Sequence, residues 1–110
     1  MSIVEEIRAK YRVLREINGW QFGYCDIACA DILKYYPHLI PVKMYLKNSK
    51  DERLWHMILY DPITQNIIDP TSDQFGIEKW LFRSIEEWVD EYKRRGWIPY
   101  CAQIVIKKKH

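Results

Sequence analysis

The chain has no excess of charge of either sign, no long apolar run, no internal repeat and too few cysteines for a disulfide framework. Each lack removes a class of function. Lys plus Arg number 17 against 15 Asp plus Glu, a net charge of +2, which is too balanced for a protein that grips nucleic acid or an anionic membrane through its overall field. Purely apolar runs are a few residues long, so no segment is expected to span a membrane. Three cysteines, Cys25, Cys29 and Cys101, cannot all pair within one chain, and the Met-Ser-Ile-Val-Glu-Glu start has no apolar signal region. A reducing, cytoplasmic setting is the expectation. Nor is there a low-complexity linker or a paired-knuckle spacing for structural zinc.

What is present is a chain that should fold by itself. Its 110 residues fit one domain, 1–110. Apolar content of 48% and aromatic content of 15%, with Trp20, Trp55, Trp80, Trp88 and Trp97, offset the entropy of ordering. Ser2 and Glu5 read as a capping box, followed by Ile3, Ile7, Tyr11 and Leu14 at helical spacing and a stop at Asn18-Gly19. A second, largely buried helix is expected from Cys25 until Pro37 ends it. Alternation over 42–47, a strand over 54–60 and a short strand over 67–69 predict an antiparallel sheet, the last two forming a hairpin across Asp61-Pro62 and Asn66. Residues 70–76 read as loop and 78–82 as a helical turn. Ser84 with Glu87 opens a helix that Gly96 ends, and 99–106 is the final strand, with Cys101 expected in the core. Lys107, Lys108, Lys109 and His110 read as a solvated tail.

Three residues in chain order carry chemistry: Cys25, His56 and Asp69. A thiol must lose its proton to attack an acyl carbon, and both a helix N-terminus and a nearby imidazolium favour that. Cys25 opens the second helix directly after Gly23-Tyr24, so free backbone amides of the same turn can also face an oxyanion. Cys29, on the same helical face one turn deeper, competes as nucleophile but has lost the helix-end position. His56 sits in an apolar strand, where the bland alternative is a core histidine bonded to a backbone carbonyl. Asp69 ends the paired strand, where its carboxylate can orient the imidazole; the bland alternative is a cap on the amide of Thr71. Gln21 is a candidate oxyanion donor. Trp20, Phe22, Tyr24 and Trp55 are candidates to wall a substrate groove, of which Trp20, Tyr24 and Trp55 are preferred. Asp26 and Asp31 read as exposed helix faces.

The segments 23–33, 55–60 and 67–75, about half the chain, resemble the papain-like fold in its transglutaminase-like branch. They are most similar to the compact papain-fold toxin and deamidase domains. The likeness lies in a helix that begins with Cys25, a strand carrying His56, and a strand ending in Asp69-Pro70-Thr71 with Gln74-Phe75 close behind. The Cys-Gly-Ser-Cys-Trp signature of secreted papain-type proteases is absent. The resemblance implies an α+β fold with the Cys helix packed on an antiparallel sheet, and Cys25, His56 and Asp69 as nucleophile, acid/base and orienting residue.

The expectation is therefore a thiol enzyme that transfers acyl groups from amides of a protein or peptide substrate through a thioester, with no cofactor. Two other classes remain open. One is a non-catalytic interaction domain of the same fold that presents Trp20, Phe22 and Trp97 to a partner. The other is a zinc-binding domain using Cys25, Cys29 and His56.

Overall fold

In the computed structural model, which describes residues 2–19 and 23–105, the sequence signals set out above become three helices on a five-stranded sheet. Helix α1 (Ile3–Asn18) starts where the Ser2 hydroxyl accepts the Glu5 amide at 3.1 Å, and it stops where Gly19 adopts a left-handed φ of 68° and bonds back to Arg15. Helix α2 (Cys25–Tyr35) follows Gly23, whose φ of 113° suits glycine and turns the chain into the helix. The expected boundaries of both helices stand.

The sheet comprises β1 (Ile40–Lys47), β2 (Arg53–Tyr60), β3 (Ile67–Ile68), β4 (Leu81–Phe82) and β5 (Ile98–Ile104), in the order β4-β3-β2-β1-β5. Every pairing is antiparallel. The hairpin between β2 and β3 turns on Asp61, whose carboxylate accepts the Ile63 amide at 2.9 Å. Helix α3 (Ile85–Arg94) opens on the Ser84 cap, which accepts the Glu87 amide at 3.1 Å. Two expectations are corrected. Residues 78–82 form no helical turn: Leu81 and Phe82 extend to pair with β3, which places Phe82 fully inside the core. Cys101 is exposed rather than core, because β5 is an edge strand and Cys101 lies opposite Tyr45 on a stretch of sheet that α1 and α2 leave uncovered.

The sheet is buried on both faces at β2, and the two faces differ. Met57 and Leu59 pack under α1 and α2 with Tyr11, Ala28, Cys29 and Ile32. Ile58, with Met44 and Leu46 of β1, packs under α3 with Trp88, Tyr92, Phe75 and Phe82. Fully burying side chains of this size contributes roughly 1.5–3 kcal/mol each. Among the described residues, no helix is long and apolar enough to cross a membrane.

Candidate functional site

Strand alternation sends His56 to the α3 face of β2, the face of Ile58. There the imidazole meets the edge of Phe75, ring centroids 4.9 Å apart, and leans on Tyr92 at 5.8 Å. Asp69, directly after β3, faces the same way, and its Oδ1 lies 2.8 Å from His56 Nε2. The other carboxylate oxygen, Oδ2, accepts the Trp88 indole N–H at 2.9 Å and the Tyr92 hydroxyl at 2.5 Å. Side-chain exposure is 1% for His56 and 0% for Asp69. The carboxylate therefore does not cap Thr71; its three partners are side chains from β2 and α3.

Cys25 comes to the same ring from the opposite side of the sheet. Strand β3 pairs with Leu59 and Tyr60 of β2 and then leaves, so among the described residues the β2 edge beside His56 and Met57 carries no strand. The first turns of α2 fill that notch. The Cys29 thiol donates to the Met57 carbonyl at 3.5 Å. Cys25, one turn earlier, is close enough to the His56 ring to favour its charged form. Since Nε2 is committed to Asp69, the ring offers Nδ1 to sulfur. Cys25 also stands at the positive end of α2: the first intrahelical bond is Ala28 N–H to Tyr24 C=O at 2.9 Å, and Tyr24 supplies no side-chain cap.

The electrostatics follow from this burial. Removal from water works against a charged imidazole, but the Asp69 carboxylate outweighs it and, with Cys25 beside the ring, carries the His56 pKa from 6.5 up to about 10. Burial alone would raise the Asp69 carboxyl. His56 overrides that, and with the Tyr92 and Trp88 donors it holds Asp69 below the ordinary 3.8. Burial, reinforced by the charges of Asp69 and Cys25, pushes the Cys29 thiol well above its usual value. Cys29 is thus a poor nucleophile and an inward-bonded core sulfur.

Beyond the trio, sequence reasoning missed the groups that hold Asp69. Trp88 and Tyr92 lie on the helix expected after Ser84, and their spacing of four puts both on one helical face, with rings stacked at 4.1 Å. Arg8 of α1 was missed altogether. Its guanidinium, 7% exposed, donates to the carbonyls of Asp69 at 3.2 Å, Pro70 at 3.3 Å and Glu78 at 3.0 Å, and to the Ser72 hydroxyl at 2.8 Å. A buried arginine at that position ties the loop carrying Asp69 to the first helix. The pattern Arg8, Arg12, Arg15 on one face of α1 was the available signal.

Of the other candidates, Gln21, Trp20 and Phe22 lie outside the described residues, as does the tail from Ile106. Tyr24 sits between α1 and α2, its ring 5.7 Å from Tyr11 and its hydroxyl accepting from Asn18 at 2.6 Å. Trp55 is 43% exposed, on the α2 face of β2 beyond Met57. Trp97 packs edge-on to Phe75. Asp26 is exposed as expected, but Asp31 is tied in by the Tyr11 hydroxyl at 2.5 Å and by Lys10 and Lys34. Among the described residues no three His, Cys, Asp or Glu side chains are grouped to hold a metal ion. No family model matches the chain, and no curated protein or solved structure shows significant similarity to it.

Proposed function

We propose that the chain is a cysteine-dependent acyl-transfer enzyme acting on amide bonds, built on a papain-like plan of the transglutaminase-like branch. The observation that carries this reading is the buried His56 imidazole bonded to Asp69 at 2.8 Å and neighboured by a cysteine that opens a helix. A core histidine needs one partner. This one has two, in the order nucleophile, ring, carboxylate.

The proton of Cys25 Sγ rests on Nδ1 of His56, whose raised pKa of about 10 keeps the ring protonated at neutral pH, and the sulfur attacks the amide carbon. The oxyanion that forms faces the unpaired amides of the first turn of α2. Nδ1–H then protonates the leaving nitrogen, the C–N bond breaks, and an amine or ammonia departs from a thioester. Water or an incoming amine attacks the thioester, giving a proton to Nδ1, and the C–S bond breaks to restore the sulfur and the protonated ring. Peptide hydrolysis, side-chain deamidation and transamidation share these steps and differ in what leaves and what enters. Throughout, Asp69 keeps the ring oriented and balances its charge.

One observation favours the competing reading of a non-catalytic interaction domain: Cys25 is 5% exposed. The two readings separate by alkylating the folded protein with iodoacetamide and mapping each cysteine by mass spectrometry. Exposed Cys101 serves as an internal reference for an ordinary thiol, and Cys29 reports unfolding. The enzyme requires Cys25 to react faster than Cys101 in the native state, and His56→Ala to slow it below Cys101. A Cys25 that reacts only together with Cys29 on unfolding rules out the acyl-transfer reading and leaves the interaction domain.

A further inference from the structure

The face of the sheet that α1 and α2 leave uncovered carries a cluster of cations over aromatic rings. Helix α2 runs along β2 from the Trp55 end toward the Tyr60 end: Cys29 bonds to Met57, and Leu33 lies with Leu39 and Ile40, the partner of Tyr60. Cys25 is therefore the end of the helix nearest the open face. Across that face, Trp55 and Cys101 flank Tyr45 in register. Lys43 Nζ sits 4.6 Å from the centre of the Trp55 ring, and Lys47 and Arg53 lie 5.9 and 5.2 Å from that of Tyr100. Tyr45 and Tyr100 stand 6.3 Å apart between them. Among the described residues these three cations meet one carboxylate, Asp51, which lies 3.4 Å from Arg53 and is itself 68% exposed. Lys43 and Lys47 have none.

We propose that this face of β1, β2 and β5 docks an acidic polypeptide segment, the source of the amide presented to Cys25; the substrate role rests on the acyl-transfer reading above. Three cations are held over aromatic rings, and Lys43 and Lys47 among them have no counter-charge among the described residues, so carboxylates of an extended segment complement them. Single-stranded nucleic acid fits less well. Its bases need open ring faces on which to stack, and here Trp55 and Tyr100 hold cations.

The test uses the full chain carrying Cys25→Ser, which keeps binding apart from chemistry. Fluorescent peptides of one length, rich in Glu and Asp, in Gln and Asn, or in Lys, are titrated by polarisation. The acidic peptide should bind at least about tenfold tighter than the neutral one, a preference that shrinks several-fold between about 0.05 and 0.3 M salt as screening grows. Lys43→Glu and Lys47→Glu should each weaken it by about tenfold. The salt series needs no surface variant and so guards against misfolding. Equal binding of all three peptides, or a single-stranded oligonucleotide that displaces the acidic peptide at lower concentration, overturns the proposal. Loss of the acidic preference while Cys25 of the unsubstituted chain still alkylates fast removes the docking surface alone. A sluggish Cys25 with the preference intact removes the acyl-transfer reading alone.

Discussion

Asp69 and Asp73 lie in one loop, both with side chains nearly withdrawn from water, and they are held by opposite kinds of partner. Asp69 meets an imidazole from β2 and two neutral donors from α3, Trp88 and Tyr92. Asp73, its side chain 4% exposed, meets guanidinium groups from α1: Arg15 at 2.6 Å, Arg12 at 2.9 Å and Arg8 at 4.0 Å. A guanidinium stays charged at any pH a protein survives, so the Asp73 cluster is fixed architecture. An imidazole gains and loses its proton, so the Asp69 cluster can take part in a reaction. The loop is clamped on the α1 side and adjustable on the α3 side.

Asp69→Asn should therefore have the largest effect on activity. It removes the anion that sustains the raised pKa of His56 and leaves an amide that cannot balance an imidazolium in a dry site. Turnover of an amide substrate, or the alkylation rate of Cys25, should fall by about 10²–10⁴-fold, the range for losing a general acid–base arrangement. Asp73→Asn touches no group of the trio, and its loss should fall on stability, read as a lower unfolding midpoint. If Asp73→Asn proteins that remain folded lose as much activity as Asp69→Asn, the division between the two carboxylates is wrong.

Next in size is Arg8→Met. It leaves the carbonyls of Asp69, Pro70 and Glu78 without their donor in a buried place, at a cost of about 3–5 kcal/mol for breaking such a site from one side. Arg12→Ala is the contrast. That side chain is 44% exposed and bonds Asp73 and Glu78 at the rim, so the change should cost at most about 1 kcal/mol. Urea titrations of the two variants decide it; equal midpoints would show that Arg8 is not the residue that fixes the loop.

How much of this was legible in the sequence depends on range. Capping pairs at Ser2–Glu5 and Ser84–Glu87 act within one turn, so both helix starts were readable. Alternation in β1 and the Asp61 turn are local too, and the hairpin they imply brings Asp69 near the strand that carries His56. The notch that admits Cys25 was not readable, because it exists through where β3 ends: Ile67 and Ile68 stay in the sheet while Asp69-Pro70 leaves it. Leu81 and Phe82 looked helical from their neighbours and became a strand because the edge of β3 offered partners, a tertiary choice that local propensity does not record. Cys101 looked like core from the apolar residues around it, and only the strand order shows that β5 is an edge. Arg8 and Tyr92 reach Asp69 from opposite ends of the chain, which no spacing rule connects.

A change smaller than Arg8→Met, Tyr92→Phe, tests whether the two limbs of the pH–stability curve belong to different partners. His56 is raised from 6.5 to about 10 on folding, so its contribution is complete below about pH 6.5 and is lost as pH rises toward about 10. Asp69 is depressed below 3.8, so its contribution is present above that value and is lost as pH falls through the folded one. Removing the Tyr92 hydroxyl takes one of two donors from Oδ2 and leaves Trp88. The carboxyl should move back toward 3.8, shifting the acid limb to higher pH, while the alkaline limb set by His56 stays in place. At neutral pH the loss should be about 1.5–3 kcal/mol, the usual worth of a hydrogen bond to a charged group. His56→Gln should flatten the alkaline limb and, because the imidazolium also holds the Asp69 carboxyl down, move the acid limb to higher pH as well. Melting midpoints from pH 3 to 10.5 for the three proteins separate these outcomes. Were Tyr92→Phe to shift the alkaline limb as far as the acid one, the hydroxyl would be acting on the imidazole rather than on Asp69, and the α3 side of the loop would be as rigid in its electrostatics as the α1 side.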